Sequence, residues 1–307
     1  MILFLEQFLN GLQFALLLFL LAAGLTLIFG IMDFVNLAHG SLYMVGAYFA
    51  ATFTRWLNSF VLGVLLALPA ALLLGVVLEM LVIRRLYSRE HLDHVLATFG
   101  LILFFNEAAR LVWGAAGLTL PLPSFLSVFL EVLPGVPYPA YRLTIIGVGL
   151  LVAGVLYYLV QHTRIGMLIR AGAANREMVG ALGVNINRLY TIVFGVGACL
   201  AALAGVMAAP ILTVQIGMGE NILILAFVVI VIGGIGSVRG AFAASIIVGV
   251  TDTVGRAYLP EILRLILSPT GASTAAPALS AMFIYLLMAS FLVVRPEGLF
   301  PAPGGRK

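Results

Sequence analysis

Few residues of this 307-residue chain could do chemistry, and three short segments hold most of them. The first is DFVNLAHGSLYMVGAYFA, residues 33–50, following Thr26–Gly30. Here Asp33, Asn36, His39 and Ser41 interrupt an apolar stretch flanked by Gly30, Gly40 and Gly46. Polar groups in such surroundings are expensive in hydrocarbon and usually face a bundle interior or an aqueous path. Glycines let helices approach closely or unwind beside that path. The plainer reading has Asp33 and Asn36 capping a helix and His39 bonding a neighbouring carbonyl. The second segment is IGGIGSVRGAF, residues 232–242, with glycines at 233, 234, 236 and 240. Each glycine costs about 1 kcal/mol in a helix interior, so a broken-helix or re-entrant turn carrying Gly234, Gly236 and Ser237 is expected. Tight helix packing is the alternative. A dinucleotide fingerprint is not, because the third glycine is out of register and no strand precedes.

The third segment, RIGMLIRAGAANREMVGALGVNINR (164–188), is too charged for lipid, yet Met167, Leu168, Met178, Val179 and Leu182 give it an apolar face. Ala173, Ala174 and Asn175 precede the charged pair Arg176–Glu177, and Gly183 stands where a left-handed helix terminator belongs. These features predict a short amphipathic helix offering a docking surface to a soluble partner; a helix lying on anionic lipid is the competing reading.

Other chemistries find no residues. His39, His91, His94 and His162 form no H-E-x-x-H pattern, and no G-x-S-x-G elbow occurs. The lone cysteine, Cys199, excludes internal disulfides, thiolate zinc sites and iron–sulfur clusters, and no metal site is expected. Fifteen of the sixteen basic residues are arginine and the only lysine is the last residue, Lys307, so a Walker A lysine is missing. The chain reads as a non-enzyme. Of the acids, Glu79 lies near Arg84 and Arg85, Glu107 precedes Arg110, and Asp252 precedes Arg256 by one turn, so each is expected to pair. That leaves no unpaired mid-span acid to support an ion-coupled secondary transporter.

The elements that position these segments follow from composition. The chain is 63% apolar and 9% charged with mean hydropathy +1.18. Soluble domains carry about 25% charged residues, so a soluble enzyme is excluded, as is disorder. Spans of about 20 residues are expected near 8–30, 34–54, 60–83, 95–113, 143–161, 189–212, 221–236, 240–257 and 278–294. The predicted class is all-α: a polytopic membrane protein with about 8–9 transmembrane helices, some broken or re-entrant. The stretch 221–257 could be two half-helices or one broken span. A β-barrel does not fit, since ten-residue alternation is missing. The start, MILFLEQFLNG, has no basic region and predicts no cleaved signal.

Eleven of the sixteen bases fall on one side of this map, in 84–94, in 162–188, at Arg239 and in the tail with Arg295, Arg306 and Lys307. Short basic loops face the cytoplasm, which puts the N-terminus outside and the C-terminus inside. The proline-rich 114–142 reads as a short, rigid outside loop, and SPTGASTAAP (268–277) as another exposed loop. Residues 1–307 are expected to be a single permease domain with a cytoplasmic loop at 162–188 and no soluble module. The segments at His39–Ala47 and Ile235–Ala241 echo each other faintly, a hint of an internal repeat.

With these segments in hand, GLTLIFGIMDFVNLAHGSLYMVGAY resembles the signature of the branched-chain amino acid ABC importer permeases of the LivH type, and VVIVIGGIGSVRGAFAASIIVG is similar to that family's second glycine-rich segment. AGAANREMVGALGVNINR resembles its ATPase-coupling loop, with Ala173-Ala174-Asn175 in place of a strict Glu-Ala-Ala and an aspartate, Asp33, where the family is variable. The matches lie in order across essentially the whole chain. The resemblance implies a bacterial or archaeal cytoplasmic (inner) membrane protein that binds no cofactor itself. ATP would be hydrolysed by two cytoplasmic ABC ATPase subunits, beside a homologous LivM-type permease and an extracytoplasmic substrate-binding protein. It implies a pathway along Asn36, His39, Gly40, Ser41, Gly234, Gly236 and Ser237, and coupling through Ala173, Ala174, Asn175, Arg176, Glu177 and Gly183. The implied cargo is a branched-chain amino acid. Urea, amides or other small polar solutes remain the alternative within the family, and a secondary transporter or a passive channel outside it.

Overall fold

The computed structural model describes residues 2–133 and 135–300; Arg306 and Lys307, counted in the basic tail, lie outside the described residues. Eleven α-helices account for nearly all of the structure: α1 (Ile2–Met32), α2 (His39–Leu57), α3 (Phe60–Leu81), α4 (His91–Trp113), α5 (Ala140–His162), α6 (Arg164–Ala174), α7 (Arg176–Ala181), α8 (Ile186–Ala208), α9 (Met218–Gly233), α10 (Val238–Leu263) and α11 (Pro269–Val294). Seven are long and apolar enough to cross a membrane; α9, at 16 residues, is shorter, and α2 opens on polar residues. Every expected span corresponds to a helix, so this is an all-α polytopic membrane protein.

Hydrophobicity alone would not order these helices, because lipid is as apolar as leucine. Small residues do. α1 and α8 are almost wholly buried, while α4, α5 and α11 expose most of their apolar surface. Glycine and alanine mark the close contacts: a Cβ on Gly205 would strike the Tyr43 carbonyl, one on Gly75 the Ala198 side chain, and one on Gly249 the Ala15 backbone.

One end of the bundle gathers the end of α1, the start of α8 and the 164–188 segment: Tyr190 Oη donates to the Ile31 carbonyl at 3.4 Å, and Gly172 faces Ile31 and Leu189. At the other end Arg142 and Tyr138 donate to Asn10 Oδ1, and Tyr141 Oη donates to the Met207 carbonyl at 2.8 Å.

From these directions an inverted repeat emerges. The unit α1–α4 is repeated, upside down, by α8–α11. α1 packs along α10 as α8 packs along α3; α2 lies on α3 and α8 as α9 lies on α10 and α1; α4 flanks α2 as α11 flanks α9. The faint sequence echo matched the start of α2 to the start of α10, whereas the fold matches α2 to α9. Short Gly/Ala patterns recur wherever helices pack closely, so the echo followed composition rather than topology.

Two loop expectations are corrected. Residues 268–277 open α11: Ser268 Oγ accepts from Gly271 N, Pro269 supplies a preset φ at the first turn, and Ser273 and Thr274 turn their hydroxyls onto the Thr270 carbonyl. Small polar residues can therefore be helical when the backbone absorbs their polar atoms. Within 114–142, Phe129–Leu133 and Val136–Pro139 form an antiparallel hairpin, β1 and β2, with Leu130 opposite Tyr138. Pro137 and Pro139 sit in its second strand, an edge strand where no further ladder donor is required.

Candidate functional site

Both broken elements of the repeat begin inside the bundle. α1 ends at Met32, and Asp33 takes a left-handed φ of 52° that turns the chain back on itself. The non-helical stretch 33–38 then runs back along α1, so that α2 starts beside Leu21 and Gly24 rather than at the end of the bundle. About 16 Å of helix separates Leu21 from Met32, a distance six extended residues can span. In the other half, the chain leaves α8, pairs Val214 with Leu118, and turns through Gly217 (φ 86°) into α9.

The two starts meet. A Cβ on Gly40 would strike the Gly219 carbonyl oxygen, and one on Gly219 the Gly40 carbonyl oxygen, so only glycine fits at either position. Two helix N-termini, each carrying unpaired N–H groups and partial positive charge, thus converge within the bundle.

Buried polar side chains surround this junction. Asn36 and His39 are fully buried and Ser41 nearly so. His39 Nε2 donates to the Leu21 carbonyl at 3.2 Å, but its Nδ1 has no partner, and neither the nitrogen nor the oxygen of the Asn36 amide has one. The capping expectation therefore holds for His39's carbonyl bond and fails for Asn36, since Ala38 stands at the N-cap of α2 and no side chain caps it. Asp33 is exposed, 3.8 Å from His91.

Gly234, Gly236 and Ser237 form the tight turn joining α9 to α10 at the α6 end of the bundle. Gly234 (φ 101°) and Gly236 (φ 81°) need left-handed backbone, and Ser237 Oγ caps α10 by accepting from Gly240 N at 3.1 Å. Gly236 abuts Gly30 and donates to Thr26 Oγ1 at 3.2 Å. The helix break expected here is present between Gly233 and Val238, and a second break precedes α9, 16 residues earlier. Both glycine-rich segments flank α1, but in different places: His39 is at Gly24 and Gly236 at Gly30, about 9 Å further along the axis. Gly236 and Ser237 line a cavity of about 550 Å³ with Thr26 and Gly30, and the Asn36–Ser41 group does not reach it.

The 164–188 segment is two helices, not one. Asn175 is extended (φ −159°), ending α6 and starting α7, with its Oδ1 accepting from Met178 N at 2.9 Å. An asparagine competes with the helix for its own backbone and breaks the run there. Gly183 takes φ 88° just past α7, as its position requires. Ala173, Ala174, Asn175, Arg176 and Glu177 form a continuous exposed surface with Met178, and Leu182 stands 77% exposed beside it.

Arginine pairs account for the three acids weighed from sequence. Glu79, fully buried, receives Arg84 Nε and Nη2, Tyr87 Oη and Thr191 Oγ1 within 3.1 Å. Burial, and then the Glu79 charge, push the Tyr87 phenol well above its ordinary range. Glu107 meets Arg110 at 3.2 Å and Asp252 meets Arg256 at 2.8 Å. The acid missed from sequence is Glu220, in the first turn of α9. Its partner is an amide: Asn106 Nδ2 donates to Glu220 Oε1 at 2.6 Å, while Glu220 Oε2 and Asn106 Oδ1 are buried without partners. The signal was available in Gly217-Met218-Gly219-Glu220 ahead of an apolar run, a helix-start pattern.

Residues 7–292 match the family described as branched-chain amino acid transport system / permease component. The chain belongs to that family. It is 29% identical over 291 residues to the high-affinity branched-chain amino acid transport system permease protein BraD of Pseudomonas aeruginosa, covering 87% of this chain and 95% of that one. Similarity to the corresponding LivH of Escherichia coli is 28% over 296 residues, covering 87% and 94%. A shorter match, 30% over 122 residues, joins it to the ribose import permease protein RbsC of Escherichia coli, covering 38% and 36%. No solved structure matches significantly. Family membership and seven membrane-length apolar helices make this chain a multi-pass transport permease.

Proposed function

We propose that the chain is the permease subunit of an ABC importer that moves branched-chain amino acids across a bacterial or archaeal cytoplasmic membrane. Near full-length similarity to BraD and LivH supports the class and the cargo. The observation that carries the mechanism is the junction of α2 and α9, where fully buried Asn36 and His39 keep polar atoms without partners. An unsatisfied buried polar group costs about 1–3 kcal/mol, a cost relieved when a polar ligand arrives. The N-terminus of α2, with no acid in its first turn, offers such a ligand positive potential for its carboxylate, the arrangement of broken-helix transporters, while the first turn of α9 already carries Glu220. The pathway therefore runs along Asn36, His39, Gly40 and Ser41, with the Gly234–Gly236–Ser237 turn forming its end near α6.

In this reading ATP is bound and hydrolysed on two separate cytoplasmic subunits that dock on Ala173–Glu177, α7 and Gly183. A homologous second permease completes the pathway, and an extracytoplasmic binding protein delivers the cargo. The basic residues beside α6 support a cytoplasmic position for that end and an outside position for the N-terminus. Reconstitution with the partner subunits is expected to give ATP-dependent uptake of leucine, isoleucine or valine. Uptake of urea or short amides alone would overturn the cargo and keep the class, and gradient-driven uptake by this chain alone would overturn the class. Gly183→Pro, or exchange of Arg176 and Glu177, is expected to detach the ATPases in pull-down while membrane insertion stays normal.

A further inference from the structure

The cavity of about 550 Å³ that Gly236 and Ser237 line lies between α1, α5, α6 and α10, apart from the α2–α9 junction. Its chemistry is divided. At the α6 end it is edged by Arg170 and Arg239, and deeper in it is walled by Phe19, Leu27 and Phe242. Arg239 is held by Tyr157: its guanidinium carbon lies 5.0 Å from the ring centroid, and Nη2 is 3.4 Å from the phenol oxygen. Arg170 donates one bond to the Val160 carbonyl. Neither arginine has a carboxylate partner among the described residues, in contrast to Arg84, Arg110 and Arg256. Among the described residues, no acidic side chain lines the cavity. A zwitterionic amino acid would find its carboxylate met and its ammonium unmet, so cargo leaving past Gly236 and Ser237 would not rest here.

We propose that this cavity binds one anionic phospholipid from the leaflet on the α6 side, its phosphate held by Arg170 and Arg239 and part of an acyl chain lying against Phe19, Leu27 and Phe242. Two fixed cations above an apolar slot, between helices at the end of a membrane bundle, complement an anionic headgroup and its chain. The volume is that of a small-ligand site and suits a headgroup with a segment of one chain. Because Ile169 and Arg170 of α6 form one wall while α1 and α10 form the others, the bound lipid would brace the coupling segment against the spans. The inference requires only that the chain spans a membrane and is independent of the cargo proposed above.

Native mass spectrometry of the purified chain, titrated with phosphatidylglycerol or with phosphatidylcholine of the same acyl chains, tests it. Phosphatidylglycerol is expected to be retained preferentially. At the attraction typical of one basic residue near a headgroup, R239Q should lower its retention about five-fold, and R170Q/R239Q about thirty-fold. A153W, which fills the cavity from α5 and leaves both arginines in place, should abolish retention, and millimolar inorganic phosphate should not displace the lipid. Melting of each variant without added lipid separates lost binding from lost folding. The proposal is overturned if phosphatidylcholine binds equally well, or if normally melting R170Q/R239Q retains phosphatidylglycerol as the parent does. It is equally overturned if A153W leaves retention intact, or if assembly with the partner subunits expels the lipid, which would mean that protein covers the cavity.

Discussion

At the start of α2, Asn36 and His39 are fully buried and three of their polar atoms lack partners. At the start of α9, the inverted counterpart, the nearest ionisable group is Glu220, which is partly exposed and held by Asn106 at 2.6 Å. The helices that follow differ in the same direction at their acids: Glu79 on α3 receives four hydrogen bonds, whereas Asp252 on α10 receives one, from Arg256. The two halves share a backbone plan yet not a polar chemistry. In the first half the end near α6 is locked by a satisfied network and the interior is left unsatisfied. In the second half the interior start carries an acid. The shared backbone plan sets where helices break, and the side chains at each break set what it offers a ligand.

The locked network should give the largest effect. Glu79→Ala removes the shared buried acceptor of Arg84, Tyr87 and Thr191 and is expected to destabilise the protein by about 3 kcal/mol in equilibrium unfolding. Asp252→Ala, with one half-exposed partner, should cost no more than about 1–3 kcal/mol; equal losses would erase the asymmetry between the halves. Next comes the junction. Gly40→Ala and Gly219→Ala each drive a methyl into backbone and should cost about 1–3 kcal/mol, while Gly100→Ala, whose Cβ would meet nothing within 4 Å, should cost nothing. Smallest in stability are Asn36→Ala and His39→Ala. Asn36→Ala removes an amide without partners and should change unfolding by less than about 1 kcal/mol, whereas His39→Ala also loses the bond to the Leu21 carbonyl and should cost about 1–2 kcal/mol; each should reduce reconstituted uptake about ten-fold, the size of one lost polar contact to cargo. Glu220→Gln keeps the Asn106 bond and should leave stability unchanged, so its uptake isolates the charge.

Local rules carried well from sequence to structure. Glu79 with Arg84, Glu107 with Arg110 and Asp252 with Arg256 pair as their spacing predicts. Gly183 ends its helix in the left-handed region, as its place after an apolar run requires. The 162–188 segment was legible as amphipathic and exposed; its division at Asn175 was not, because a cap and a mid-helix asparagine look alike without coordinates. Glu220 escaped notice for the opposite reason. Its partner, Asn106, is 114 residues away, and no spacing rule reaches that far.

By itself the sequence determined that this is an all-α membrane protein, where its spans run and where its few charges lie. Those follow from hydrophobic length and one-turn spacing, which are local properties. Only the tertiary structure decided that α8–α11 invert α1–α4, that two helices begin face to face at Gly40 and Gly219, and that Arg170 and Arg239 share a cavity. In a chain this uniformly apolar, every helix face can meet lipid or protein at similar cost. The choice between them is made by close backbone contact at small residues, which no single segment specifies.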